Sequence, residues 1–235
     1  MSEPEPRRGR AHDAEGAREA ILNAAEEVFA EHGFDGARID AIGEAAGYNK
    51  SLIFHYFGDK LALYAAVIGR VDKEMTEQQE QWFTSLLEED IAADAHSFKA
   101  LLKTIIGACF DYLVKHPRFL RILNWEMAEG WQTFAKIISQ RDLEDIDRFT
   151  PLLYRMQSAG LLRSDFDPRI QFIMAVYFCQ YYLSSVPLYG LLLSGEDFSS
   201  AAALARAREY IVEFVVHGMM ADPSEMKRRA IEKSP

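Results

Sequence analysis

Residues 18–63 of this 235-residue chain read REAILNAAEEVFAEHGFDGARIDAIGEAAGYNKSLIFHYFGDKLAL, and this stretch decides the fold. Its first half repeats apolar residues at three- and four-residue spacing, which is the period of an amphipathic helix. Gly33 is typical of the C-terminal cap of such a helix. Two short helices are predicted next, at about 38–45 and 50–57. Their close spacing is that of a helix-turn-helix, whose second helix lies in the major groove of DNA.

Turn and cap residues mark the ends of these short helices. Gly47 lies in the turn between them and tolerates a positive φ. Asn49 stands where the second helix needs an N-cap, and Asp59 is the N-cap expected for a longer helix that follows. Ile53 and Phe57 are expected in the core. Spacing alone leaves a plain helical corner as an equal alternative to DNA binding.

The stretch resembles the N-terminal DNA-binding domain of TetR-family regulators. The marker residues that carry the resemblance are Ile21-Leu22, Ala24-Ala25, Phe29, Gly33-Phe34, Ile42, Ala46-Gly47, Tyr56-Phe57 and Lys60-Leu63. Beyond them the chain matches the family only in general plan. The resemblance implies an all-α fold, with an N-terminal three-helix helix-turn-helix DNA-binding domain and a larger helical ligand-binding and dimerisation domain.

The resemblance also implies which side chains meet DNA. Lys50, Ser51 and Leu52 fall where the family's recognition helix meets base edges, and Lys60 falls where it places a lysine against phosphate. Lysine can reach guanine O6 and N7, and leucine can meet a thymine methyl group. The complete predicted set on this domain is Arg38, Asn49, Lys50, Ser51, Leu52, Phe54, His55, Tyr56 and Lys60.

Three departures from the family pattern concern the details of phosphate contact. Phe54 stands where the family usually has tyrosine, so a hydroxyl group is absent. Ala37 and Arg38 stand where the family often has threonine or serine, and Arg38 could contact phosphate instead. Gly43 replaces a commoner alanine, at a cost in helix propensity of up to about 1 kcal/mol.

Charge counts against a nucleic-acid partner, because the chain carries a formal net charge of -10. In residues 1–60, seven Lys and Arg face twelve Asp and Glu. The acids cluster on the first helix, which could turn them away from DNA. Residues 1–12 form a predicted flexible arm in which Arg7, Arg8 and Arg10 resemble basic minor-groove arms. A solvated tail is the alternative for this arm.

The rest of the chain is helical in pattern, and we find no convincing strand pattern. The helices are predicted near 60–87, 97–115, 117–128, 131–158, 168–193 and 199–219, with Pro151 dividing or kinking the fourth of them. The predicted domains are the arm 1–12, the helix-turn-helix domain 13–60, a regulatory and dimerisation domain 61–221, and a frayed tail 222–235.

Residues 170–195 contain no charged side chain. The run is long enough to cross a bilayer. Gln171 and Gln180 dilute it and no basic cluster flanks it, so we interpret it as a buried helix and expect no membrane partner. The family places its penultimate and last long helices in a four-helix dimer interface. We therefore expect a homodimer through helices 168–193 and 199–219.

An aromatic-rich region between these helices and the first domain suggests an apolar pocket with a few polar groups. The predicted ligand-binding residues are Phe110, His116, Asn124, Trp125, Glu126, Trp131, Tyr154 and Tyr177. A hydrophobic small molecule is the expected effector, and core packing is the alternative interpretation for the aromatic residues. For Glu126 the alternatives are a solvated face or an ion pair with Arg118 or Arg121.

Other function classes find little support in the sequence. There is no Gly-x-Ser-x-Gly, Gly-rich phosphate loop or paired cysteine motif, so we expect no enzyme, catalytic residue, cofactor or metal. Cys109 and Cys179 are interpreted as buried free thiols in a reducing cytoplasm. The leading hypothesis is a repressor released from a palindromic operator by a small ligand. A helical protein-interaction module with a degenerate head is the alternative.

Overall fold

The computed structural model describes residues 8–70, 84, 94–140 and 150–222, and for residues 8–13 it describes the backbone alone. Its helices are α1 (Arg8–Gly36), α2 (Ile39–Ala46), α3 (Lys50–Phe57), α4 (Lys60–Arg70), α5 (Ala95–Lys115), α6 (Pro117–Ala128), α7 (Gln132–Ile138), α8 (Thr150–Ser158), α9 (Pro168–Leu192) and α10 (Ala201–Met219). Within these ranges the only β-pairing is an isolated bridge between Leu162 and Met220. The predicted all-α class is confirmed.

The chain divides into two compact units. Residues 1–75 and 118–141 form the N-terminal unit, and residues 76–117 and 142–235 form the C-terminal unit. Helices α6 and α7 therefore group with the N-terminal residues, whereas their sequence lies in the predicted regulatory domain 61–221. The predicted domain boundaries after residues 12, 60 and 221 stay predictions.

The turns and caps of the N-terminal unit follow from local chemistry. The Asn49 side chain accepts a hydrogen bond from Leu52 N at 2.9 Å, which satisfies a free N–H at the start of α3. Asp59 accepts one from Ala62 N at 2.8 Å in the same way at α4. Gly47 has a φ of 74°. The predicted roles of these three residues are confirmed.

Helix α1 begins earlier than predicted but is interrupted at Gly33, where its end was predicted. The helix begins at Arg8, so the backbone of residues 8–12 in the predicted arm is helical. Gly33 has non-helical angles, φ 68° and ψ -178°, which break the helix as predicted, and a short stretch continues after it to Gly36. The ring of Trp125 explains the glycine further, because a Cβ at residue 33 would lie 3.1 Å from Trp125 Cδ2.

Gly43 proves to be required by the turn that follows α2. A Cβ at this position would lie 2.7 Å from the backbone oxygen of Tyr48. The Tyr48 N–H in turn donates to the Gly43 carbonyl at 2.9 Å. Gly43, which lowers helix propensity in the sequence, is therefore needed because the backbone of Tyr48 lies close to it inside the helix-turn-helix.

A continuous core joins α6 and α7 to the first four helices. Ile122 and Ile137 belong to the buried cluster that also contains Ile53 and Phe57, as predicted for the latter two. Trp125 Nε1 donates to the carbonyl of a residue in α1, Ala30, at 3.3 Å. The N-terminal unit is thus larger than three helices.

Glu126 lies inside this core and was wrongly assigned by both alternatives of the sequence analysis. It is 1% exposed. Its Oε1 accepts a hydrogen bond from the Tyr64 hydroxyl at 2.7 Å, and its Oε2 accepts one from Phe134 N at 3.0 Å. Arg118 instead pairs with Glu27, at 2.8 Å. Glu126 is a buried, hydrogen-bonded carboxylate.

The C-terminal unit is built around α9, which packs against α5 and α10. Arg208 of α10 makes a double ion pair with Asp111 of α5, with Nε–Oδ1 and Nη2–Oδ2 distances of 2.7 and 2.8 Å. Its guanidinium lies against Gly107, where a side chain would collide with it. The helix predicted at 131–158 is divided, as expected, but not at Pro151: α7 already ends at Ile138, and Pro151 lies in the first turn of α8, which begins at Thr150.

Candidate nucleic-acid interface

Helix α3 presents a polar face from a fixed base. Ile53 and Phe57 anchor it in the core, while Lys50, Ser51 and His55 on its other side are exposed. No acidic residue lies between Asn49 and Gly58. A helix held this way can offer its N-terminal side chains to base edges, as a recognition helix does.

The other predicted residues of α3 differ in exposure. Phe54 is exposed, and the Lys50 ammonium group lies 5.8 Å from the centre of its ring. Leu52 and Tyr56 are half-buried, and Tyr56 packs against the core. Tyr56, which was predicted to contact DNA, therefore also contributes to the packing of α3.

The two predicted lysines are held by local contacts that phosphate or base groups could replace. Lys50 Nζ lies 3.5 Å from the carboxylate of Asp40. Lys60 Nζ donates to the Asp35 carbonyl at 3.3 Å and lies 4.7 Å from the ring centre of Phe34. Partial burial lowers the pKa of Lys60, while the charge of Asp35 acts to raise it.

The basic residues at the N-terminal side are placed only in part. Arg38 is exposed at the N-cap position of α2, where its side chain makes no capping hydrogen bond. Arg7 lies outside the described residues, as do the side chains of Arg8 and Arg10. Their contact with DNA stays a prediction.

Several acids of α1 are neutralised within the N-terminal unit. Arg70 of α4 pairs with Glu19 at 2.6 Å and with Glu26 at 3.5 Å. Arg118 of α6 pairs with Glu27. These pairs reduce the net negative charge of α1, and the acidic composition of the chain therefore counts less against a nucleic-acid partner.

The eight predicted ligand residues are divided between the two units. Asn124, Trp125, Glu126 and Trp131 belong to the N-terminal unit, and Phe110, His116, Tyr154 and Tyr177 belong to the C-terminal unit. In the C-terminal unit, Phe110 is buried, whereas Tyr154 donates to Asp167 at 3.3 Å from an exposed position. Their role in binding a ligand stays a prediction.

A pocket of about 490 Å³ lies in the C-terminal unit. It is lined by Arg163, Asp165, Phe166, Gln171, Met174, Ala175, Phe178, Phe214, Val215, His217, Gly218 and Met219. None of the eight predicted ligand residues is among them. Sequence reasoning missed this pocket, because its lining combines α9 and the turn that precedes it with α10, which is distant along the chain.

Helix α9 also carries an exposed apolar stripe. Its members recur at three- and four-residue spacing and are Ile170, Ile173, Met174, Tyr177, Phe178, Tyr181, Leu188, Leu191 and Leu192. Tyr210 and Phe214 of α10 are exposed as well. The expectation that this helix is buried all round is therefore wrong for a single chain. A surface of this kind marks an interaction site.

Helix α9 does not combine the length and hydropathy of a membrane-spanning helix. In the described part of the chain no single helix is long and apolar enough to cross a membrane. The bent pair α3 and α4 meets the length and composition test only when the two helices are joined.

Comparison with known proteins identifies the class. Residues 21–67 match the family "Bacterial regulatory proteins, tetR family", and residues 99–215 match "Tetracyclin repressor-like, C-terminal domain". The chain belongs to the TetR family of helix-turn-helix transcriptional regulators.

Individual relatives support the same assignment. The chain is 27% identical over 212 residues to the HTH-type transcriptional repressor NicS of Pseudomonas putida, covering 89% of this chain and 95% of NicS. The crystal structure of SCO4942 from Streptomyces coelicolor matches with a TM-score of 0.56 at 26% identity, over 86% of this chain and 98% of SCO4942. FadR from Bacillus subtilis in complex with stearoyl-CoA shares the fold, with a TM-score of 0.57 at 19% identity, over 85% and 98%.

Proposed function

We propose that this protein is a homodimeric transcriptional repressor, which binds a palindromic operator through α3 and is released by a small apolar effector. The observation that carries the proposal is the exposed, acid-free face of α3, held by the Asn49 cap and the Gly47 turn. As a regulator of this kind it acts where the chromosome lies, in the cytoplasm.

Base reading is assigned to the first turn of α3. Lys50 and Ser51 are exposed there, and Leu52 is half-buried beside them. Lysine is a donor to guanine, serine is both donor and acceptor, and leucine suits a thymine methyl group. The residues assigned to phosphate contacts lie before and after this turn in the sequence, and they are Arg38, His55 and Lys60. Contacts with phosphate contribute affinity without sequence preference.

The exposed apolar stripe of α9 supports the dimer. A second copy would cover residues such as Ile173, Tyr181 and Leu188 by presenting the same face, as a two-fold interface requires. Tyr210 and Phe214 on α10 extend this surface. Two copies supply two recognition helices, which fit two half-sites of a palindrome.

The effector part of the proposal rests on the C-terminal unit. Its pocket of about 490 Å³ has the volume of a small-molecule site. A ligand that binds there and stabilises a dimer arrangement unable to bind the operator lowers the affinity for operator DNA. Because coupling between two sites is reciprocal, operator DNA lowers the affinity for the ligand by the same factor.

Selection of bound sequences from random duplex DNA tests the proposal. Wild type is compared with Lys50→Ala and with Lys115→Ala, a matched loss of one positive charge on the exposed end of α5. We expect wild type and Lys115→Ala to enrich the same palindrome. Lys50→Ala should enrich it with a relaxed preference at one position of each half-site.

The opposite results are equally informative. If no sequence is enriched by any protein at low salt, the DNA-reading proposal fails and a helical protein-interaction module is favoured. If the enriched site is a single half-site, the dimer is wrong while DNA reading stands. Sedimentation of Tyr181→Arg, which places a charge on the α9 stripe, then checks the interface directly.

A further inference from the structure

We infer that the pocket between α9 and α10 is the effector site, and that it takes a neutral, apolar molecule carrying one hydrogen-bond donor. The inference deepens the proposed ligand-released repressor and rests on it. It places the effector apart from the residues that the sequence suggested.

The floor and walls of the pocket select an apolar body. Ala175, Val215 and Met219 are nearly fully buried and form its deep side. Phe178 and Phe214, whose rings lie 5.4 Å apart, line it on the exposed side. A recess of this volume with an apolar lining is typical of small-molecule sites.

Gln171 supplies the polar group of the pocket. Its side-chain nitrogen donates to the carbonyl oxygens of Arg163 at 3.1 Å and Phe166 at 3.0 Å. These two bonds fix the amide orientation, because a flip would bring its oxygen against two carbonyl oxygens. The Gln171 Oε1 is buried and accepts no hydrogen bond from the described residues. A buried acceptor of this kind calls for a donor.

The formally charged lining residues, Arg163 and Asp165, favour a neutral ligand. Arg163 binds Asp165 through two contacts, Nε–Oδ1 at 3.0 Å and Nη2–Oδ2 at 2.5 Å. The guanidinium and the carboxylate therefore compensate each other, and a charged ligand would have to displace one of them.

The turn beside the pocket is held in place before any ligand binds. Gln157 donates to the same two carbonyls as Gln171, those of Arg163 at 2.8 Å and Phe166 at 2.9 Å. Two glutamine side chains thus clamp one turn from two helices. A site that is already ordered loses less entropy when it binds a ligand.

A second copy is the competing occupant, because Phe178 and Phe214 also belong to the exposed apolar surface of α9 and α10. The depth of the pocket favours a small molecule over a second copy as its occupant. Gln171, Ala175 and Met219 lie on a buried floor, whereas a helix–helix contact needs only the exposed stripe.

Two aromatic probes test the chemistry. N-phenyl-1-naphthylamine is neutral and apolar with a single N–H donor, and 1-phenylnaphthalene has the same two ring systems without the donor. We expect saturable binding of the amine, followed by its fluorescence, and displacement by the hydrocarbon. A neutral hydrogen bond to Gln171 makes the amine bind about fivefold tighter than the hydrocarbon.

A larger side chain at Gly218 should fill the pocket without disturbing the fold. Gly218 lines the pocket, and a Cβ there meets no atom within 4 Å. Gly218→Leu should weaken amine binding at least tenfold. Gly190→Leu is the matched control, since Gly190 is also helical with open space around its Cβ and does not line the pocket. Gln171→Met should abolish the fivefold preference for the amine, measured as the ratio of the dissociation constants of the two probes.

The outcomes separate this inference from the proposed function. Amine binding that survives in Gly218→Leu, or no preference for the amine over the hydrocarbon, overturns the inference. So does a wild-type dimer that binds neither probe and becomes monomeric in Gly218→Leu, because the occupant is then a second copy. Operator binding is measured on the same samples without probe. If every protein fails to bind DNA, the proposed function fails, whatever the probes do.

Discussion

Removal of one buried hydroxyl group should destabilise the N-terminal unit. The Tyr64 side chain is fully buried and donates to Glu126 at 2.7 Å. Burial raises the pKa of the phenol, and the hydrogen bond to Glu126 and the nearby carboxylates raise it further. The hydroxyl group therefore remains a donor at every working pH. Tyr64→Phe removes the donor and leaves a buried carboxylate oxygen without its partner.

The expected loss in the free energy of unfolding is about 2 kcal/mol, because hydrogen bonds to charged buried groups contribute about 1.5–3 kcal/mol. Tyr154→Phe is the matched control, since the Tyr154 hydroxyl also donates to a carboxylate, that of Asp167, but from an exposed position. Its effect should stay within about 0.5 kcal/mol of wild type. The double variant Tyr64→Phe/Glu126→Met removes both partners, and we expect a coupling energy of about 1–2 kcal/mol between the two substitutions.

Urea unfolding, followed by tryptophan fluorescence, measures these values. A Trp82→Phe background leaves Trp125 and Trp131, which both lie in the N-terminal unit. The reasoning is refuted if Tyr64→Phe unfolds within 0.5 kcal/mol of wild type, or if the double variant shows simple additivity.

Three further predictions concern the Gly43 turn, the Lys60 side chain and the two thiols. Gly43→Ala should lower the free energy of unfolding by about 1–3 kcal/mol, because its Cβ would collide with the Tyr48 carbonyl; unchanged urea midpoints would contradict this. Lys60→Ala should weaken binding to all duplexes alike and reduce the salt-dependence slope by about 2 for a dimer; an altered base preference would show that Lys60 reads sequence instead. Burial raises the pKa of the thiols of Cys109 and Cys179 to about 11 and 12. Both should therefore react with a disulfide reagent far more slowly than glutathione at pH 8 and normally in guanidinium, and fast labelling of the folded chain would contradict their interpretation as buried thiols.

Local chemistry made the helix-turn-helix predictable from sequence. Asn49, Asp59 and Gly47 each act within three or four residues of their position, so their side chains or φ angles reveal the helix ends directly. Apolar periodicity likewise placed Ile53 and Phe57 in the core.

Contacts between residues that are distant in the sequence could not be predicted from local chemistry or periodicity. Glu126 finds Tyr64 across 62 positions of the chain, and no periodic pattern marks such a pair. Gly43 was interpreted through helix propensity, whereas a backbone oxygen five residues later decides it. The pocket around Gln171 depends on the meeting of α9, α10 and a turn, which a single sequence does not specify.

The inclusion of α6 and α7 in the N-terminal unit has a consequence for how the chain is made. Ile122, Trp125 and Glu126 reach back to α1 and α4. During translation the first 75 residues therefore leave the ribosome without the segment that completes their core, and Tyr64 has no acceptor from Glu126 until residue 126 has emerged. A gene fragment ending at residue 75 encodes a nascent intermediate, and a faithful minimal DNA-binding fragment must also include residues 118–141.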